Sequence, residues 1–345
     1  VAKKPLLQEP AYIDDVIIDS PQGSIVRRST GLYSLDLALA GGGSIGLPLR
    51  SVVEVYGNTH VGKSTLTYYL SGMVAERGTI DLCDLEGLDP VYLRNVLLNS
   101  SFRGHVKIMD SVEKGKPRHH ADMVNEMASD FQTKDDTNVV ILDSVGAFVP
   151  TAESEGDIGE SFMGRRAFTI AQFSRRMISH LIAKEQDGVC FVVNHVHSVI
   201  GGQGHITAGG DTLKNMANTR IMLWNKQVIK AGEDTIGYWV GGKLEKLRFG
   251  GKGRGFQFIL IPDFGISRPL SAMFDCFELG LAERSTHVKV AGKSFGFISK
   301  LFDAARNGHT DKFEPFFELL EEHHGTNVLA NHTDGQGEES EDDAG

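Results

Sequence analysis

The stretch Gly57-Asn58-Thr59-His60-Val61-Gly62-Lys63-Ser64, followed by Thr65, sets two glycines ahead of a lysine and a hydroxyl. This is the G-x-x-x-x-G-K-[ST] spacing, and its chemistry is phosphate binding. Gly57 and Gly62 let the backbone turn tightly so that successive N–H groups meet phosphate oxygens. Lys63 reaches the outer phosphates, and the Ser64 hydroxyl is a ligand for Mg²⁺. A second carboxylate is needed behind the metal. Val139-Val140-Ile141-Leu142-Asp143 supplies it at the end of an apolar run, with Ser144 beside it as a supporting hydroxyl. Hydrolysis also needs a base to orient water, and Asp84-Leu85-Glu86-Gly87 offers Glu86, with Asp84 and Asp89 as rival carboxylates. Asp89 and Tyr92 suit a nucleotide base and its amino group, although as bare residues they are more often a helix cap and a packing ring.

These residues need a scaffold that gathers strand ends. Apolar, β-branched runs recur at Val52–Tyr56, Thr79–Cys83, Val139–Leu142, Val189–Val193 and Arg220–Trp224, each reading as a strand buried on both faces. Helical periods lie between them at Thr65–Arg77, Ala121–Phe131 and Phe168–Ala183. In the last of these, Phe168, Ala171, Met177, Ile178, Leu181 and Ile182 form the expected core face. Alternation of this kind predicts an α/β fold, a mostly parallel sheet with helices on both faces. Tyr238–Phe249 and Phe256–Ile261, joined through Gly250-Gly251-Lys252-Gly253, predict an antiparallel hairpin that extends the sheet edge. The spacing then predicts an extended arm over 1–28, a core over 29–268 and a small C-terminal α/β domain over 269–330. The C-terminal domain holds a helix at Leu270–Leu281, a short polar stretch and a helix pair in Phe297–His323. An acidic, solvated tail follows over 331–345.

Charge and composition narrow the classes. The 345 residues carry a net −10, which on its own argues against a polyanionic partner. Six of the acids, Asp334, Glu338, Glu339, Glu341, Asp342 and Asp343, stand in 333–345 without a base, leaving −4 for the rest. Basic clusters survive at Arg165-Arg166, Arg175-Arg176 and Lys243–Arg254. No run approaches the ~18 apolar residues of a membrane helix. Three well-separated cysteines make a poor disulfide framework and point to a reducing cytosol. His119-His120, His195/His197/His205 and His323-His324 lack ligand spacing for a metal.

Taken together, the motifs resemble the RecA-type homologous recombinases, in the branch shared by bacterial RecA and phage UvsX. Ser29-Thr30-Gly31 with Ser34-Leu35-Asp36 is similar to the entry segment, Gly57–Thr65 to the phosphate loop, Asp84–Gly87 to the loop with the catalytic glutamate, and Leu88–Tyr92 to the adenine contact. Val149-Pro150 and Glu153–Ser161 through Met163-Gly164 resemble the first DNA-binding loop, and His197–Gly210 the second.

The resemblance implies an ATP- and Mg²⁺-dependent DNA-stimulated ATPase that coats single-stranded DNA as a filament and exchanges it with a homologous duplex, aided by single-strand-binding and loader proteins. It assigns Met163 and Ile200 to wedging between bases. The amides of Gly164, Gly201, Gly202, Gly209 and Gly210, with Arg165, Arg166, Arg175 and Lys214, are assigned to the phosphates. His195 stands where bacterial RecA has glutamine. There it would sense the γ-phosphate, and its protonation would make the coupling depend on pH. Lys246 matches one of two lysines that reach the neighbouring subunit's nucleotide; the other position falls on Leu244, beside Lys243, and Asn215 replaces an interface phenylalanine. Two other readings fit the same core: a hexameric helicase or translocase, and a low-turnover DNA-binding regulator.

Overall fold

The structure, a computed structural model, describes residues 25–40, 45–113, 115–134, 137–157, 164–183, 187–198, 205–208, 210–248, 250, 253–285 and 287–333. Its first elements are a two-stranded ribbon, β1 (Arg27–Arg28) with β2 (Leu47–Pro48), and the short helix α1 (Tyr33–Ala38). The phosphate-binding pattern follows β3 (Ser51–Gly57) and opens α2 (Lys63–Ala75); then come β4 (Thr79–Asp84), α3 (Pro90–Asn99) and β5 (His105–Ile108). A small ribbon of β6 (Val112–Glu113) and β7 (Lys116–Pro117) leads into α4 (His120–Thr133), β8 (Thr137–Asp143), α5 (Thr151–Glu155) and α6 (Arg165–Ala183). The chain continues through β9 (Val189–Ser198), β10 (His205–Thr207), α7 (Gly210–Met216), β11 (Thr219–Ala231), β12 (Asp234–Leu247), β13 (Gly255–Ile261) and β14 (Gly265–Ile266). The last stretch holds α8 (Arg268–Leu279), β15 (Glu283–Arg284), β16 (His287–Val290), β17 (Lys293–Phe297), α9 (Ile298–Arg306) and α10 (Glu314–Thr333).

Ten strands make one sheet in the order β14-β13-β12-β11-β3-β9-β8-β4-β5, with β10 pairing on β9. The run from β11 through β3, β9, β8 and β4 to β5 is parallel, and β12, β13 and β14 extend it antiparallel. Side chains on the parallel strands alternate between two cores. Val53, Val55, Val139, Ile141, Val189 and Phe191 pack with α1, α2 and α3, whereas Val52, Val140, Leu142, Cys190 and Val192 pack with α4 and α6. Each such aliphatic side chain, wholly removed from water, contributes about 1.5–3 kcal/mol. That two-sided demand is why these strands read as unbroken apolar runs rather than alternating ones.

The expected hairpin forms, in the register Tyr238↔Leu260 to Lys243↔Gly255, and the strand expected at Arg220–Trp224 runs on to Ala231 as the first arm of a longer hairpin with β12. Two expectations are corrected. The core face of α6 is Ile170, Ala171, Phe173, Ser174, Met177 and Leu181, while Phe168 and Ile182 are 61% and 52% exposed. The helix begins at Arg165, and the contact with α4 and the sheet is centred on the Ile170/Phe173/Met177/Leu181 row, which rotates both residues to the rim. The polar stretch expected after Leu281 is the three-stranded sheet β15-β16-β17. With α8, α9 and α10 it shares a third core with Ile229, Ile259 and Ile261 of the large sheet.

Candidate nucleotide and nucleic-acid site

Because β3, β4, β8 and β9 run parallel, their carboxyl ends meet along one edge, the place where open α/β sheets bind ligands. The phosphate loop leaves β3 there. Gly62 has φ +85°, a left-handed conformation that an L side chain resists, and it is the residue from which α2 starts. Lys63 is buried, and its ammonium donates to the Asn58 carbonyl at 2.9 Å, folding back over the loop. Burial lowers its pKa, opposed by the charges of Glu86 and Asp143. Asn58, Thr59 and His60 are exposed at the loop's crown, and Val61 is buried beneath it. The Thr65 hydroxyl meets the Tyr92 hydroxyl at 2.7 Å, tying α2 to α3.

Asp143 ends β8 and is buried. Burial pushes its carboxyl above the ordinary range, against hydrogen bonds from the Ser64 and Tyr68 hydroxyls; the Tyr68 bond is 2.9 Å. Burial, reinforced by Asp143, pushes the Tyr68 phenol upward, so Tyr68 stays a donor. The other Asp143 oxygen, Oδ1, is buried with no hydrogen-bond partner among the described residues. An orphaned carboxylate oxygen beside a serine hydroxyl is the donor set that a divalent cation or its water shell completes, so Ser64 and Asp143 fit Mg²⁺.

The three rival carboxylates separate by what they accept. Asp84 Oδ1 takes the backbone N–H of Glu86 and Gly87, and Asp89 Oδ1 takes that of Val91 as the N-cap of α3, so both build local structure. Glu86 Oε1 accepts from the Ser144 hydroxyl and, at 2.8 Å, from His195 Nε2. Burial raises the Glu86 pKa, but those two hydrogen bonds and the charges of His195 and Lys63 outweigh it, and the carboxyl lies below its ordinary value. A Cβ at Gly146 would lie 3.0 Å from the His195 ring, so the absence of a side chain there admits the imidazole.

Two participants escaped the sequence reading. Tyr68 is one helical turn beyond Ser64, a spacing that puts both hydroxyls on one face of α2, and that i, i+4 relation was the available signal. The turn after β13 is held against α3 by Asn95, which donates to the Asp263 carbonyl at 3.1 Å, and by Asn99, which donates to that of Phe264 at 2.6 Å. It lies beside Tyr92 and has no motif of its own.

Of the residues expected at the nucleic acid, Met163, Ile200, Gly201, Gly202 and Gly209 lie outside the described residues. Gly164, Arg165 and Arg175 are exposed, Arg166 is half-buried, and Lys214 is exposed on α7. A Cβ on Gly210 would lie 3.3 Å from that of Ala167, so the segment leaving the second loop meets the start of α6, two residues past Arg165. Lys246 donates to the carbonyls of Asn215 at 2.6 Å and Lys214 at 3.3 Å, at the end of α7 in its own chain. No group of three or more metal-ligating side chains, and no helix long and apolar enough to cross a membrane, is found among the described residues.

A parallel sheet with a phosphate loop after its central strand, a buried acid ending a neighbouring strand and a glutamate at the same edge define a P-loop nucleotide-binding core of the RecA type. The RecA N-terminal domain family matches residues 16–251. Protein RecA of Haemophilus ducreyi is 31% identical over 296 residues, 84% of this chain and 73% of that protein. Protein RecA of Mannheimia haemolytica is 29% identical over 294 residues, 84% and 74% of the two chains. That of Ectopseudomonas oleovorans is 31% identical over 245 residues, 70% and 66%. The chain belongs to the RecA family, the recombinases of DNA recombination and repair.

Proposed function

We propose that the chain binds Mg²⁺–ATP at the phosphate loop, polymerises on single-stranded DNA as a helical filament, and promotes pairing and strand exchange with a homologous duplex, with hydrolysis releasing the DNA. The carrying observation is the 2.8 Å contact between His195 and Glu86, because His195 stands on the strand that runs on toward the second loop. Lys63 and the amides of Gly57–Thr65 hold the phosphates, while Tyr92 and Asp89 flank the base. Mg²⁺ on Ser64 and Asp143 supplies the positive charge that neutralises the outer phosphates. Glu86, kept ionised by its neighbours, orients and deprotonates water, and Ser144 steadies it. A γ-phosphate competes for the His195 donor, so its arrival frees Glu86 and shifts β9, and its loss restores the contact.

On this reading Gly164, Arg165, Arg166 and Arg175 from the first loop and its helix meet the DNA phosphates, as do Gly210 and Lys214 from the second. Met163, Ile200, Gly201, Gly202 and Gly209 contribute from outside the described residues. Lys246 caps α7 in the free subunit and turns to a neighbour's nucleotide in the filament. The unit 269–330 is a satellite of the 29–268 core, and single-strand-binding and loader proteins are the expected helpers. Electron microscopy with single-stranded DNA and a slowly hydrolysed ATP analogue tests this. Helical filaments that fail to form with ADP or with Lys63→Ala are the expected result; closed rings, or no assembly, reject it.

A further inference from the structure

Glu54 is the one acid in the apolar run Val52–Tyr56, and it is fully buried on β3, three residues before the phosphate loop begins. A charge out of water persists only with dedicated partners. Oε2 accepts from Arg220 Nε of β11 at 2.5 Å, and Oε1 accepts from Asn194 Nδ2 of β9 at 2.8 Å. Both partners then reach the same place. Asn194 Nδ2 also donates to the Ala208 carbonyl at 2.7 Å, and Arg220 Nη2 donates to the Thr207 hydroxyl at 3.5 Å, while the guanidinium lies 4.5 Å over the Tyr56 ring. The remaining amide oxygen of Asn194 accepts from the His195 backbone at 2.9 Å.

Thr207 and Ala208 end the return leg of a hairpin. β10 runs antiparallel to β9 in the register His205↔Ser198, Ile206↔His197 and Thr207↔Val196. Residues 199–204 join the two legs, and His195 stands at the base of the outgoing one. One buried carboxylate therefore ties the return leg, through two different side chains, to the strand that feeds the phosphate loop.

We propose that Glu54 is a positioning residue that pins the return leg of this hairpin, so that a nucleotide-driven movement at His195 displaces the outgoing leg against a fixed partner. The inference rests on the nucleotide-switch reading above. An apolar side chain of similar size would fill the same space in β3 but could not hold Asn194 and Arg220 in register, which is what a positioning role requires of this site.

The test measures the affinity of the full chain for a labelled oligothymidylate by fluorescence anisotropy, with Mg²⁺ and either ADP or a slowly hydrolysed ATP analogue. In the native protein the ratio of the two affinities should be about 5- to 150-fold, the span of such couplings. Glu54→Gln preserves the side chain's volume and should bring the ratio close to 1 while a fluorescent ATP analogue still binds; Glu54→Asp, which keeps the charge, should recover part of it. Should Glu54→Gln fail to fold, the double variant Glu54→Gln/Arg220→Met, which strands no charge, takes its place with the same expected loss. Hydrogen exchange on the native protein should change between nucleotides at 195–198 and stay constant at 207–208. A variant that keeps the full ratio, or exchange at 207–208 that follows the nucleotide, overturns the pin alone. A native ratio of 1 overturns the switch reading beneath it.

Discussion

Glu86, Asp143 and Asp275 show how surroundings sort chemically equivalent carboxyls. Glu86 is lowered by hydroxyl, imidazole and ammonium neighbours, and Asp143 is raised by burial but keeps two hydroxyl donors. Asp275 on α8, far along the chain, is 2% exposed, and burial pushes it up to about 7. It accepts from the Gln257 amide at 3.0 Å and the Ser34 backbone at 3.2 Å, which offset only part of the desolvation. Its folded pKa lies above its unfolded one, so the folded state holds the proton more tightly. Its unfavourable contribution is absent below about pH 4, develops as pH rises, and is complete above about pH 7. Urea midpoints of the native protein should therefore fall between pH 5 and pH 8, and Asp275→Asn should flatten that fall. Equal slopes in the two proteins would show that the carboxyl ionises without penalty. The sequence made Glu86 and Asp143 legible because each follows an apolar run at a strand end. Asp275 and Tyr68 were not, because a helical position says nothing about which side chain from elsewhere will close over it.

At the scale of elements, the parallel strands and α2 were readable within a residue or two because their burial is written locally as unbroken β-branched runs. β5 was not, since His105-Val106-Lys107-Ile108 is short and sits at an exposed edge. α3 was given no bounds, although Asp89, weighed as a helix cap, is its N-cap and Pro90 its first-turn proline. For α6 the sequence located the helix and most of its core face, Ala171, Met177, Ile178 and Leu181, but wrongly placed Phe168 and Ile182 on it, and that correction bears on function. With Phe168 turned outward and Ile170 inward, the first turn presents Arg165, Arg166 and Phe168 together at the end of the first loop. Single-stranded DNA binding through this turn should be insensitive to base sequence. Arg165→Ala/Arg166→Ala should weaken all oligonucleotides alike and reduce the slope of log affinity against log salt by about 0.7 per lost phosphate contact. An unchanged slope, measured by anisotropy from low to high salt, would move the DNA path off α6.

For the whole molecule, the average charge conceals an opposition between segments. The net −10 falls to −4 when the six acids of 334–345 are set aside, and those acids follow directly on α10, whose body packs on α8 in the third core. If that acidic segment competes with duplex DNA for basic side chains of the C-terminal unit, Lys289, Lys293 and Lys300 of β16, β17 and α9 are the cations it would screen. Exposed charges interact within a Debye length of about 8 Å at physiological salt and about 3 Å at 1 M, so the competition must weaken steeply as salt is raised. Removal of Asp334–Gly345 should speed duplex uptake at low salt, and the advantage over the full chain should shrink as ionic strength rises. ATP turnover on single-stranded DNA, proposed for the carboxyl edge of the large sheet, should stay the same. Stopped-flow uptake of labelled duplex across a salt series checks both statements. An advantage that persists undiminished at high salt would mean that the segment acts by occupying space rather than by charge, and no advantage at any salt would free the C-terminal lysines from this role.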